Sequence, residues 1–198
     1  MKIEHLYLFQ EISITYLYFC INIKMFLKGK FMSDVEKRLN NVEAHMEFNQ
    51  TITRYCRALD WLDENLLRTC YTEDAYIDYG FYSGDVQGFY PVVMEVERQS
   101  MHRYHFLSNV AIKLNQDEAE VECYGIATST HDGKVLNFFG GRYHNSFKKT
   151  DQDWLMSRSE YILDYNFTSE VNDLGDAMEQ LQSGVGLDTN DKLFRKLY

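Results

Sequence analysis

The chain has 198 residues, 45% hydrophobic, 15% aromatic and 25% charged, which excludes disorder, collagen and simple repeats and is enough for one sizeable core. Thirty acidic against twenty basic residues give a formal charge of -10, and no basic block offsets it, so a nucleic-acid partner is not expected. The four cysteines, Cys20, Cys56, Cys70 and Cys123, form no CxxC pair. They read as reduced thiols of a cytoplasmic protein, neither zinc ligands nor a disulfide framework.

Met1 to Phe31 stands apart in composition, with four lysines and two glutamates ahead of a strongly acidic remainder. Its apolar stretch from Ile12 to Ile23 is shorter than the roughly 20 residues a spanning helix needs. Glu4 and Glu11 and the lack of a small-x-small site argue against a signal peptide. The expectation is a non-native extension from an upstream start codon, or a disordered segment, over 1–31. A domain over 32–168 and a polar tail over 169–198 complete the expected organisation, with no membrane partner; a membrane anchor is the alternative for the first segment.

From Val35 to Leu59, apolar residues at Val35, Leu39, Val42, Met46, Ile52, Tyr55, Cys56 and Leu59 mark an amphipathic helix. Ser33 and Asp34 with Glu36 form a candidate capping box. Asp63 suits the N-cap of a short second helix through Leu66, Leu67 and Cys70. Asp74 to Gly84 is aromatic and β-branched, hence a strand and turn. Gly88 to Met101 returns to helical spacing, with Pro91 in its first turn.

The period then becomes two. Strands are expected at Tyr104–Leu114, Ala119–Thr130, Val135–Lys148 and Trp154–Asn166, with Asp132-Gly133 the strongest hairpin signal. Helices followed by long antiparallel strands with one buried face make an α+β domain. A short helix over Val171–Leu181 is a further expectation, in a tail that could cover a partner or an opening.

Two residues invite a chemical reading. Asp60 closes the long helix between Leu59 and Trp61, on or near its buried stripe; an aspartate there is more often a cap than a catalyst. His105 begins a strand on which His105, Leu107 and Asn109 share one face. A lone histidine there is more often structural. Paired with a carboxylate, it would have its tautomer set and its other nitrogen free as a base. Spacing alone does not bring the two together. There is no HExxH, no CxxC and no GxSxG, so neither a metal site nor a nucleophile elbow is expected. Gly140-Gly141 more plainly makes room where a strand bends or lines a cavity. Alternation puts Phe139, Gly141 and Tyr143 on one face and Arg142 and His144 on the other, the Arg142 face being a candidate dimer surface.

The segments RYCRALDWLDENLLRTCYTEDAYIDYG, RYHFLSN, VECYGIAT and FFGGRYHNSFKKTDQDWLMSRSEYILDY together resemble the SnoaL-like branch of the nuclear transport factor 2-like superfamily, from Val35 to Asn166. The resemblance implies a cone: a curved, mostly antiparallel sheet wrapped around N-terminal helices and enclosing an apolar pocket, often paired through its outer face as a homodimer or homotrimer. Scytalone dehydratase and hexachlorocyclohexane dehydrochlorinase, the mechanistic analogues in that superfamily, use an Asp–His dyad for elimination. Asp60 and His105 match those positions, and Tyr79 matches a pocket tyrosine. A second pocket histidine of the dehydratase falls at about Gly125 here, and its later polar pocket residues near Gly141 and Tyr143, which are departures.

The expected function is a cofactor-independent lyase or isomerase. Asp60 and His105 would abstract a proton from an apolar, cyclic, oxygenated small molecule, bound by Tyr55, Tyr79, Phe139 and Tyr143. The alternatives are a non-catalytic subunit like a ring-hydroxylating dioxygenase β subunit, and a hydrophobic ligand-binding module.

Overall fold

The computed structural model describes residues 2–151, 153–172, 181–182 and 184–198, with side chains from 22–25 and from residue 33 onward. The expected helix over Val171–Leu181 falls largely outside the described residues. Two compact units are present, one ending at Ala44 and the other running from His45 to Tyr198. Helix α1, Lys2–Asp60, accounts for the first and enters the second. It runs straight through Ser33, so the expected capping box there does not form. No described helix is long and apolar enough to cross a membrane.

The stripe read along α1 divides in two. Phe48, Thr51, Ile52, Tyr55, Ala58 and Leu59 are buried at helical spacing, whereas Val35, Leu39, Val42 and Met46 are exposed, Met46 at 60%. Phe48 anchors the buried half, with ring centroids 4.9 Å from Phe147 and 5.0 Å from Trp154. The Thr51 hydroxyl donates to the Trp154 carbonyl. The buried face starts at Ala44 and continues through Phe48, offset around the helix from Val35, Leu39, Val42 and Met46.

Helix α1 stops by a double bond pattern. Asp63 N–H donates to Ala58 O at 2.8 Å and Leu62 N–H to Leu59 O at 3.3 Å, with Leu62 at φ 53°. This is a Schellman closure with leucine in the left-handed position that glycine usually takes, a conformation costing roughly 1–2 kcal/mol for an L-residue. Asp63 then caps α2, Glu64–Arg68, by accepting from Leu66 N–H. Strand β1, Tyr71–Asp78, and the short β2, Ser83–Asp85, lead to α3, Val86–Arg98, capped by the Asp85 carboxylate on Gly88 N–H. Because α3 begins two residues before Gly88, Pro91 lies beyond its first turn, where its ring removes the amide that would bond Gln87 O.

Four long strands follow: β3 His102–Asn115, β4 Glu118–Thr130, β5 Val135–Lys149 and β6 Trp154–Glu170. The sheet order is β2-β1-β6-β5-β4-β3, antiparallel except where β1 meets β6. Register shifts at Ser108/Ala111, Gly140/Gly141 and Ser146/Phe147 bend this unclosed sheet. The first takes Asn109 out of alternation: at φ 55° it is exposed, so it does not share the His105 face as the period-two reading had it. The observed architecture is the expected α+β one, a curved and mostly antiparallel sheet with N-terminal helices. Its outer face exposes Tyr104, Phe106, Tyr124, Ile126 and Tyr165.

Two glycines are required by close approach. A Cβ on Gly141 would collide with the Ile162 carbonyl, and one on Gly125 would stand 2.6 Å from Tyr143 Cε2. Gly125 is therefore the space that the Tyr143 ring occupies. Phe48→Ala should cost about 3–5 kcal/mol in equilibrium denaturation, whereas Met46→Ala should stay within about 0.5 kcal/mol. Gly125→Ala should cost about 1–3 kcal/mol by overpacking against Tyr143, measured the same way.

Candidate functional site

Every functional side chain here lies within the unit that begins at His45. Asp60 is the last residue of α1 and His105 the fourth of β3. Asp60 Oδ1 accepts from His105 Nδ1 at 2.8 Å and from the His105 backbone N–H at 3.0 Å. The double contact fixes the ring against the strand that carries it and assigns the Nδ1–H tautomer, leaving Nε2 available. Both side chains are largely buried, His105 at 8% and Asp60 at 20% exposure.

Glu97, in the last turn of α3, completes the group. Its Oε1 lies 3.5 Å from His105 Nε2, and its side chain is 13% exposed. The imidazole is thus flanked by a carboxylate on each nitrogen. Burial works to lower the His105 pKa, but the Asp60 hydrogen bond and the charges of Glu97 and Asp60 outweigh it, and the net shift is upward. Burial likewise pushes the Glu97 carboxyl upward, with His105 pulling against it. Because the two carboxylates sit on opposite nitrogens they do not converge on one point, and among the described residues no three acidic, histidine or cysteine side chains are grouped as a metal would need.

Arg103 holds this arrangement from behind. Its guanidinium donates to the carbonyls of Leu59 at 3.3 Å, Asp60 at 3.1 Å, Glu97 at 3.3 Å and Ser100 at 2.9 Å, and also to Leu187 O. One side chain therefore ties the main chains of both carboxylate-bearing residues to the strand of His105, and to the tail. Phe194 packs edge-on to Trp61 just beyond the helix end, at 5.3 Å.

A cavity of about 670 Å³ opens beside the group, within the range of small-molecule sites. Among its lining residues are Tyr55, Tyr79, Glu97, His105, Phe139 and Tyr143. All six residues singled out from the sequence therefore meet in one place: Asp60 and His105 are bonded, and Tyr55, Tyr79, Phe139 and Tyr143 line the cavity they adjoin. His105 and Phe139 are brought together by register, since both pair with Ala127.

The far wall is phenolic. Tyr143 packs edge-on to Tyr55 at 6.0 Å and to Tyr79 at 5.7 Å. Ser159 donates to Asn145 Oδ1 at 2.6 Å, so its oxygen accepts from Tyr79 OH at 2.8 Å. The Tyr79 proton is therefore committed to this buried chain. Burial, reinforced by neighbouring phenols, pushes Tyr55 and Tyr143 well above the usual tyrosine value, keeping both as protonated donors.

Glu97 and Arg103 are the residues that the sequence reading missed. Glu97 could have been found: it continues the buried face of α3 four residues after Val93, with Ser100 three further on. Nothing in the sequence distinguishes Arg103 from a solvated arginine.

The chain matches the SnoaL-like domain family over residues 40–160. It is 27% identical over 123 residues to protein Rv2910c of Mycobacterium tuberculosis (strain ATCC 25618 / H37Rv), covering 59% of this chain and 83% of that one. Among solved structures it is similar to a hexachlorocyclohexane dehydrochlorinase (LinA) Type2, with TM-score 0.61 and 13% identity over 68% of this chain and 93% of the other. It is also similar to a protein of Novosphingobium aromaticivorans DSM 12444 named as a provisional scytalone dehydratase, with TM-score 0.59 and 19% identity over 67% and 91%. At those identities the structural likeness speaks for the fold alone. The family match covers most of the chain and agrees with the curved sheet and the placement of its helices, so this chain belongs to the SnoaL-like domain family, a branch of the nuclear transport factor 2-like superfamily.

Proposed function

We propose that the protein is a lyase or isomerase that removes a proton from carbon on a small, largely apolar, oxygenated molecule. The observation that carries this reading is the 2.8 Å bond from His105 Nδ1 to a buried Asp60, beside a cavity that His105 itself lines. A binding pocket gains nothing evident from a fixed imidazole–carboxylate pair, whereas a base needs it for tautomer and charge. The names of two similar structures, a dehydratase and a dehydrochlorinase, are those of elimination enzymes and support the same class.

In this reading His105 Nε2 takes the proton and Asp60 stabilises the imidazolium that forms. The electron pair left on carbon moves toward a carbonyl oxygen, which Tyr143 meets as a donor in a largely apolar cavity, with Tyr55 hydrogen-bonded to Tyr79 and Tyr143 beside it. Tyr79, whose proton is bound to Ser159, orients the other two rings instead of donating. Phe139 supplies an apolar wall. None of these steps needs a cofactor.

His105→Ala should lower turnover by about 10²- to 10⁴-fold, the contribution of a positioned base, while the protein still folds, with some stability lost because the Asp60 and Glu97 carboxylates lose their partner. Asp60→Asn should lose activity similarly but keep an acceptor for the His105 backbone N–H. Asp60→Ala leaves that N–H unpaired and should cost about 1–3 kcal/mol in addition. If His105→Ala and Asp60→Asn both unfold the protein, the pair is structural.

For a substrate whose leaving group departs without a proton, the acid limb of kcat/KM should lie above the ordinary histidine value of 6.5, because the base must first lose a proton that its carboxylates retain. Stability should run the opposite way. A raised histidine pKa stabilises the fold fully below 6.5, and that contribution is lost as pH rises through the folded value. Thermal unfolding across this range, with His105→Ala as the flat control, checks the sign.

A further inference from the structure

We infer that Glu97 is a second catalytic residue: it exchanges a proton with His105 Nε2 and delivers that proton to the departing group, so that loss of a group as poor as hydroxide depends on it. This inference rests on the proton-abstraction reading above and adds an acid to its base.

A second carboxylate changes what a base can do. Asp60 already occupies Nδ1, and one partner suffices to fix the tautomer. A carboxylate at Nε2 stabilises the imidazolium and so silences the base, unless it can accept the proton itself. Glu97 Oε1 lies 3.5 Å from that nitrogen on the cavity wall. Keeping a carboxyl at 13% exposure costs free energy unless it is paired or neutralised. A purely structural role is poorly served here, since the neighbouring Glu95 forms an ordinary exposed ion pair with Arg98 at 2.9 Å. Burial raises Glu97 above the ordinary carboxyl value and the carboxylates raise His105, and at 3.5 Å the two are close enough to titrate as a coupled pair. Facing this pair are Asp60 from α1, Arg103 from β3 and His131 beyond β4, with the neutral phenols of Tyr55, Tyr79 and Tyr143 across the cavity.

The step balances with these groups alone. His105 Nε2 takes the hydrogen from the carbon next to the carbonyl, and that C–H pair becomes the new C=C bond. The C–O bond on the adjacent carbon breaks, and its electron pair takes the Glu97 carboxyl proton to leave as water. The site is then imidazolium and carboxylate. Transfer of the Nε2 proton to Glu97 Oε1 restores both groups, with no outside acid. Base and acid sit side by side, so hydrogen and hydroxyl depart from the same face. Hydroxide needs this help, being the conjugate base of an acid as weak as water.

The test compares two leaving groups on one skeleton, 4-hydroxy-4-phenylbutan-2-one and its acetate ester, each giving the same enone read by absorbance. Glu97→Gln should lower loss of water by about 10²- to 10⁴-fold and leave loss of acetate nearly unchanged, and Glu97→Asp should recover part of the first activity. In parallel, ¹⁵N NMR should find the His105 titration moved to lower pH in Glu97→Gln, a change that a packing role would not produce. Equal loss with both leaving groups, or an unmoved His105 titration, overturns the role of Glu97 while the base stands. Wild-type protein that eliminates neither compound, or activity that survives His105→Ala, overturns the proton-abstraction reading and this one with it.

Discussion

The contact between Asp60 and His105 sets demands on everything around it. A carboxylate and an imidazole can be sequestered from water only if each finds a partner at hydrogen-bond distance, so the end of α1 and the beginning of β3 have to meet within narrow limits. The chain achieves this with backbone devices. Leu62 adopts a left-handed conformation to stop α1 one residue past the carboxylate-bearing turn, and Arg103 gathers the carbonyls of Leu59, Asp60, Glu97 and Ser100 onto β3. Asp60 accepts from both the ring and the backbone of His105, so a rotation of the ring would break one bond and strain the other. Strain in the loop and a costly buried cluster are accepted together, as is common where geometry serves a site.

The cavity has two chemically distinct ends. At one end stand ionisable groups whose charges depend on one another: a histidine pulled upward by carboxylates and a glutamate pulled upward by burial. At the other stand phenols that burial keeps neutral. A molecule lying between them would meet proton exchange on one side and fixed donors on the other, with the Phe139 ring as an apolar wall. This separation is created by the sheet. Its cross-strand rows place His105, Ala127 and Phe139 in line, and Gly125 leaves the opening through which Tyr143 reaches the cavity.

The departures from the sequence reading have particular causes. The apolar spacing of Val35, Leu39, Val42 and Met46 is as regular as that of Ile52, Tyr55 and Leu59, yet only the second set is buried; periodicity reports that a helix has an apolar face, not that anything covers it. Asn109 breaks the alternation because a bulge inserts an extra residue, and nothing in the local pattern announces one. The capping box at Ser33 has the right residues, but a helix already formed from upstream does not need a new start. Glu97 was visible as an acid at a helical position facing the core, although a helix of this composition also has Glu95 in solvent two residues away, on the opposite side.

The amino-acid sequence by itself determined the class of each element, the end of the long helix near Asp60, the four-strand meander and the identities of the acid and imidazole, because caps, turns and side-chain alternation act over a few neighbouring residues. Tertiary structure decided what no local pattern encodes: which stretch of α1 is covered, that residues 45 positions apart share a hydrogen bond, and that a third ionisable group from another helix faces the same ring. Those outcomes depend on where a curved sheet carries its side chains, and curvature is the sum of bulges, close approaches and packing across the whole domain.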